Sequence, residues 1–513
     1  MVILIDIFKL FNKNKNKRKI ENDVIISDKE LISKNIKDIL GSSGDIKFRK
    51  ILINNNENIK VTLIYIDGLV NSSYISDYIL KPLIQENVIQ QAKDIKEVLN
   101  LIKDGVLYYA GQEVCSDINK TINGIMSGSS VLVFDECKTS VIFDVKKFDK
   151  RSMSEPTVEN VTKGAKDSFI ENYRSNTATI RRKIKTQNLV IEETVIGKQT
   201  LTPVGIVYIK GITNDDLIKA VREKLNNINV DNILATGFIE EALSNDINSP
   251  FPQVRNTERP DIFCADIIEG RVGVIADGIP LGFIVPVKFI QLLQTAEDYS
   301  RNYLVASALR IIRYISFAIS LLLPSLYIAI TTFHPEMLPT KLVLFIAKSR
   351  EGVTFPIAIE ILGMLLVFEI LYEAGLRIPK TVGQAVSIVG TLVVGQAAVE
   401  AKLLSPSAVV VIALTSIATF AMPNQDLSNA IRIWRFIFAI FASILGLYGV
   451  VISIILLTFD LCKLETFGTS YMSPLVSSTI EEAIYDTVIR SPLKYNKKRP
   501  HNLKTKDNIR QGE

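Results

Sequence analysis

The sequence predicts an α/β soluble region of two similar subdomains followed by an all-α polytopic membrane domain. Three observations carry this. Polarity divides the chain: residues 1–300 are ordinary in composition, 311–459 hold long uncharged runs, and the last fifty residues are polar again. Two pairs of segments repeat at one spacing. Several uncharged runs reach the length needed to cross a bilayer. A length of 513 residues agrees with about three folding units.

The N-terminal tail, 1–40, is basic: "NKNKNKRK" (12–19) follows the apolar "MVILIDIFKLF". A signal peptide places its positive charges before a longer apolar core, so this segment is a solvated tail or a membrane-surface anchor. Subdomain 1 (41–150) and subdomain 2 (188–300) alternate β-branched runs with amphipathic stretches, an α/β pattern. "TLIYIDGLVNSSYISDYILKPL" (62–83) matches "GIVYIKGITNDDLIKAVREKLN" (205–226), each a strand, a glycine turn, polar cap residues and a helix. "IMSGSSVLVFDECKTSVIFDV" (125–145) matches "IIEGRVGVIADGIPLGFIVPV" (267–287), the second closed by the hairpin signal Asp277-Gly278. Tyr65 and Tyr208 lie 143 residues apart, Gly128 and Gly270 142 apart, so a duplication is expected. The linking segment, 151–187, ends in a polar helix whose Arg181-Arg182-Lys183 cluster reads as a solvated face. No aromatics interleave with its basic residues, which argues against nucleic acid.

"SPFPQVRNTERPD" (249–261) is excluded from regular helix by Pro250, Pro252 and Pro260. It is a functional loop or a rigid surface loop held by Arg255, Glu258 and Arg259.

The membrane domain, 301–463, contains hydrophobic segments 314–333, 354–373, 381–401, 403–425 and 436–459. The first follows Arg310 and Arg313 and carries Pro324, where a kink is expected. The second carries Glu360, Glu369 and Glu373, with Arg377 beyond it, and either spans or rests at the interface. Glu369, Glu373 and Arg377 lie four apart and define one helical stripe; Glu360, half a turn away, is expected alone against another helix or a water-filled path. In 381–401 a small-residue stripe, Gly383, Ser387, Thr391 and Gly395, suits close helix packing. Beside it Gln384, Gln396 and Glu400 form a polar stripe that suggests a pore. With five spans and the N-terminus inside, Arg377, Lys380, Arg432 and Arg435 fall inside, and Lys341, Lys348, Arg350 and Lys402 outside with the tail. The loop charges favour five spans, whereas an even number would bring the lysine-rich tail (within 464–513) inside, so the sequence leaves the topology open.

Two histidines, His334 and His501, are too few and too far apart for a histidine-ligated metal or a Ser-His-Asp site. His334 reads as a loop-capping residue rather than a pH sensor. The four cysteines form no C-x-x-C pair and read as isolated buried thiols. "GKQT" (197–200) lacks the glycine and Ser/Thr of a phosphate loop. No cofactor and no enzymatic activity are expected.

Further motifs are "YIDGLV" (65–70), Glu155-Pro156, "FPQVRNTERPD" (251–261), "EGR" (269–271), "EDY" (297–299), "FHPEMLP" (333–339), "EAGLRIP" (373–379), "GQAAVEA" (395–401) and "RSPLKYNKKRP" (490–500). With these the chain, over about 40–500, resembles the A subunits of the spore-germination receptors, the GerA family. "GSSGDIKFR" (41–49) departs from the usual form of its segment. The resemblance implies functional weight at Phe251, Pro252, Gln253, Glu258, Arg259, Pro260 and Asp261. It also implies a multi-pass protein of the spore inner membrane, its N-terminal domain cytosolic, working with a transporter-like B subunit and a lipoprotein C subunit. Such receptors sense small nutrients and trigger ion release; the B subunit is expected to hold the nutrient, and A subunits to form a homo-oligomeric ion-conducting part. A stand-alone transporter is the alternative, although no paired membrane repeats with matching interruptions are visible.

Overall fold

A computed structural model describes residues 29–510 except 54–58, 108, 110, 147–155, 157, 158, 160, 378–394, 477–486, 493, 495 and 496. The N-terminal tail to residue 28, Glu155, and the stripe positions Gly383, Gln384, Ser387 and Thr391 therefore lie outside the described residues.

In subdomain 1, β1 (Ile46–Leu52), β2 (Lys60–Ile66), β3 (Gln112–Cys115), β4 (Ser130–Phe134) and β5 (Thr139–Phe143) form a sheet in the order β1-β2-β4-β5-β3. In subdomain 2, β6 (Leu189–Ile196), β7 (Thr202–Ile209), β8 (Arg255–Thr257), β9 (Val272–Ala276) and β10 (Gly282–Val285) form a sheet in the order β6-β7-β9-β10-β8. The orders are the same under the repeat spacing, and so is the register. Leu63 pairs with Leu132 in the first sheet, and Ile206, the equivalent of Leu63, pairs with Val274 in the second. Tyr65 and Tyr208 occupy matching positions on β2 and β7. The duplication expected from spacing is present.

The intervening helices repeat as well. The helical run 72–85, α2 (Ile95–Lys103) and α3 (Ile118–Met126) correspond to α5 (Asp215–Asn226), α6 (Thr236–Leu243) and α7 (Pro260–Ile268). A further helix, α1 (Ser33–Leu40), covers the first sheet beside α3. Each sheet thus buries apolar side chains on both faces. The linking helix α4 (Tyr173–Lys183) joins them: Ala178 packs under the first sheet, Tyr173 and Ile180 under the second.

That position corrects the reading of Arg181. Instead of lying on a solvated face, it is fully buried and clasps Asp45 with two 2.8 Å hydrogen bonds. It also donates to the Leu189 carbonyl at 2.9 Å. α4 is packed between the subdomains, so its last turn has no solvent side at Arg181.

The C-terminal part is a helical bundle: α8 (Tyr303–Phe333), α9 (Thr340–Ser349), α10 (Ile357–Arg377), α11 (Pro406–Phe420), α12 (Gln425–Leu445) and α13 (Leu447–Lys463). Among the described residues, α8 and α12 are long and apolar enough to cross a membrane. α8 continues through Pro324 to Phe333. The bundle's outer surface exposes Leu366, Ile370, Leu414, Ile417, Ile444 and Phe459, an apolar rim that water alone would not favour.

The expected single span 436–459 is instead two helices. The chain reverses at Gly446 (φ 60°, ψ −135°), which caps both α12 and α13, and the two helices pack together. Only glycine adopts this backbone conformation readily. Likewise the expected 403–425 ends at Phe420, and the turn before Gln425 starts α12. The first half of α12 forms no uncharged run because Arg432 and Arg435 interrupt it.

After α13 the tail returns to the soluble region as β11 (Glu465–Thr466), β12 (Thr469–Ser470) and irregular backbone. Tyr471 is buried against Phe289, and Lys506 and Arg510 pair with Asp215 and Glu269 of subdomain 2.

Candidate functional site

The joint between subdomain 2 and the helical bundle is built largely from the segment 246–261. Pro252 follows Phe251 and keeps the local backbone out of helix. Gln253, 4% exposed, pins the preceding turn: its carbonyl accepts from Asn245 and Asp246 N–H at 2.8 and 3.0 Å, and its amide donates to the Asp246 carbonyl. Asp246, so held, pairs with Lys463 at the end of α13 at 3.0 Å. Phe251 inserts among the bundle helices and stacks on Trp434 of α12, with ring centroids 6.4 Å apart. Asn256 donates to Asp426, in the first turn of α12, at 3.0 Å.

Behind this contact, Arg255 pairs with Asp266, and Arg259 with Asp261 at 2.7 Å. Arg259 is 1% exposed and also donates to the Ala165 carbonyl. Glu258 contributes its carbonyl to Phe169 N–H. Pro260 does not break structure here: it occupies the first turn of α7, where its missing N–H costs nothing. The segment is therefore not a surface loop: Phe251, Gln253, Val254 and Arg259 are buried, and it forms the soluble side of the joint.

A second contact lies at the root of α8. Asp298, 1% exposed, accepts from Arg310 Nε at 2.9 Å and Arg313 Nη2 at 2.8 Å. Burial works to raise its pKa, but Arg313 and Arg310 hold the carboxyl below its ordinary value. A polar cavity of about 310 Å³ lies between the two contacts, lined by Glu159, Arg255, Arg259, Thr295, Arg313 and Asn424 among others. Burial raises Glu159, against the hydrogen bond from Thr257 and the charge of Arg255. "EDY" and the paired arginines before the first hydrophobic run were visible in the sequence; their convergence on Asp298 was not.

Within the bundle the charged residues separate. Glu373 and Arg377 pair at 2.6 Å on an exposed surface, as their four-residue spacing predicts. Glu369 does not join them. Its carboxylate grips Arg432 of α12 through both oxygens, and Arg432 also lies 4.1 Å over the Tyr372 ring. Four residues turn a helix by about 400°, so each step drifts by about 40°, and by Glu369 the stripe faces α12.

Glu360, 2% exposed, is not alone: it accepts from Ser405 N–H and lies 3.6 Å from Arg350 Nε. Gln396 donates to Glu400 at 3.0 Å on an exposed face, and a side chain at Gly395 would meet open space. Of the cysteines, Cys115 and Cys264 are buried, Cys137 is partly buried and Cys462 exposed.

Residues 34–502 match the family described as Bacillus/Clostridium GerA spore germination protein. Spore germination protein KA of Bacillus subtilis is 38% identical over 495 residues, covering 96% of this chain and 90% of that protein. Spore germination protein B1 of the same organism is 34% identical, covering 93% and 97%. Spore germination protein GerLA of Bacillus cereus is 33% identical, covering 93% and 96%. A crystal structure of the N-terminal domain of the A subunit of the Bacillus megaterium spore germinant receptor GerK3 shares 33% identity, covers 50% of this chain and 93% of its own, and superposes with a TM-score of 0.40. A family match across nearly the whole length, with soluble region and bundle both included, leads to one conclusion: the chain belongs to the GerA family of spore germination proteins.

Proposed function

We propose that this chain is the A subunit of a nutrient germinant receptor in the spore inner membrane, coupling nutrient binding elsewhere in the complex to ion release. The observation that supports it best is the joint. Segment 246–261 of subdomain 2 grips the ends of α12 and α13 through Asn256–Asp426 and Asp246–Lys463 and inserts Phe251 beside Trp434. A displacement of the soluble region is thereby passed to the helices as a rigid push. Partners are a transporter-like B subunit, a lipoprotein C subunit and further copies of this chain, with ions passing between the assembled bundles.

The direction of the helices supports a multi-pass topology with an even number of crossings. α8 starts, and α13 ends, beside the soluble region, and the tail docks on subdomain 2. Arg377 lies near that side, since its neighbour Tyr372 meets Gln425 at the start of α12. Lys402 lies at the other end, beside Thr354 and the Glu360–Ser405 contact. This supports a topology with the N-terminal domain and the tail together on the cytosolic side.

The test is reconstitution of the chain with its B and C partners in potassium-loaded vesicles. Potassium efflux on nutrient addition that disappears with Phe251→Ala, while the complex still assembles, supports the proposal. Nutrient accumulation by the chain alone would favour a stand-alone transporter instead.

A further inference from the structure

Two guanidinium groups enter one side of α12, Arg432 and, one turn later, Arg435. Arg432 is engaged by Glu369, Asn429 and the Tyr372 ring. Arg435 is 5% exposed and, among the described residues, makes one hydrogen bond, to Thr419 Oγ1 at 2.6 Å. Its Nε has no acceptor, and no carboxylate pairs with it among the described residues. A guanidinium cannot give up its proton, so one carboxylate here serves two permanent cations. Burying such a charge without a partner is costly, and the arrangement calls for an anion.

A cavity of about 250 Å³ lies against the same guanidinium, between α10, α11 and α12. Ser416, Thr419, Gln425 and Tyr372 line it with neutral hydrogen-bonding groups, and Glu369, already bound by Arg432, is the carboxylate on its wall. Arginine with hydroxyls and amides is phosphate-binding chemistry. The α11–α12 turn, beside the Asn256–Asp426 contact, closes one end, so the cavity lies toward the soluble region, and exposed Phe420 stands on its wall. With the bundle set in a bilayer and the soluble region outside it, that end would meet the lipid headgroups, where basic pockets between helices bind anionic lipid.

We propose that this cavity is an anion site in which Arg435 binds a phosphate group, from an anionic lipid headgroup or from free phosphate. The free-phosphate arm needs only the folded bundle and stands apart from the receptor reading; the lipid arm needs the bilayer as well.

The experiment uses the full chain in nanodiscs, with thermal unfolding followed by fluorescence of Trp434, the chain's only tryptophan. Phosphatidylglycerol added to phosphatidylcholine discs, or inorganic phosphate replacing chloride at constant ionic strength, is expected to raise the midpoint by about 2–4 °C. A shift with phosphatidylglycerol alone identifies the headgroup, and a shift with phosphate in phosphatidylcholine discs identifies the free anion. Arg435→Gln abolishes the shift. If that variant does not fold, Ser416→Leu, which fills the cavity and leaves the charge in place, does the same. The proposal is overturned if neither probe moves the midpoint, or if the folded variant responds like the parent.

Discussion

Arg181 and Asp45 meet with no solvent on either side, and their bidentate geometry satisfies the guanidinium almost completely. Removing one partner leaves the other charged and buried, so Arg181→Met is expected to cost about 3–5 kcal/mol, while replacing both with apolar residues recovers much of it. Denaturant titration of the single and double variants checks this; an equal loss in both would contradict it. The same reasoning applies to Glu369, which pairs with Arg432 beside Arg435. Glu369→Gln is expected to reduce the yield of folded chain from detergent, whereas Glu373→Gln, at an exposed pair, leaves it near the parent level.

The α12–α13 hairpin depends on two glycines for different reasons. Gly446 holds a backbone conformation that a side chain disfavours, and a Cβ on Gly449 would lie 2.1 Å from the Phe441 carbonyl oxygen. Gly449→Ala is expected to destabilise by about 1–3 kcal/mol through overpacking, seen as a lower unfolding midpoint. Hydropathy alone reads 436–459 as one span, because the turn is a single residue inside an uncharged run. Periodicity could not reveal it. A glycine pair at 446 and 449 is the one signal available, and it is ambiguous, since Gly383 and Gly395 in the same sequence read equally as part of a small-residue stripe.

On the scale of the molecule, tail and soluble region are one body. Lys506–Asp215, Arg510–Glu269 and the Lys506 N–H to Ile212 carbonyl bond tie the last described residues to subdomain 2. Cysteines introduced at exposed Leu234, Ile509 and Leu344 in sealed vesicles should therefore divide two against one: 234 and 509 react from one side, 344 from the other. Labelling of 509 together with 344 would contradict the even topology. The joint also carries a pH dependence. Asp298 is held below its ordinary pKa, so its stabilisation is fully present above the unfolded carboxylate value and is lost as pH falls through the folded one. Asp298→Asn should lower the unfolding midpoint at pH 7, with the gap to the parent narrowing below about pH 4.

The duplicated α/β architecture was legible because strand patterning, glycine turns and helix caps are local devices, and two copies at one spacing reinforce each other; the pairings Leu63–Leu132 and Ile206–Val274, at equivalent positions, came only with the fold. The Glu373–Arg377 pair was legible for the same reason, its spacing being a property of one helix. Everything that joins distant segments was not. Arg181 reads as solvated until α4 is packed between two sheets, Glu369 reads as part of a stripe until α12 lies beside it, and the tail's side is undetermined until it docks. Spacing along a chain determines what neighbours on one element can do; which buried charge finds which partner is decided by packing, since the cost of an unpaired charge is paid only where water has been excluded.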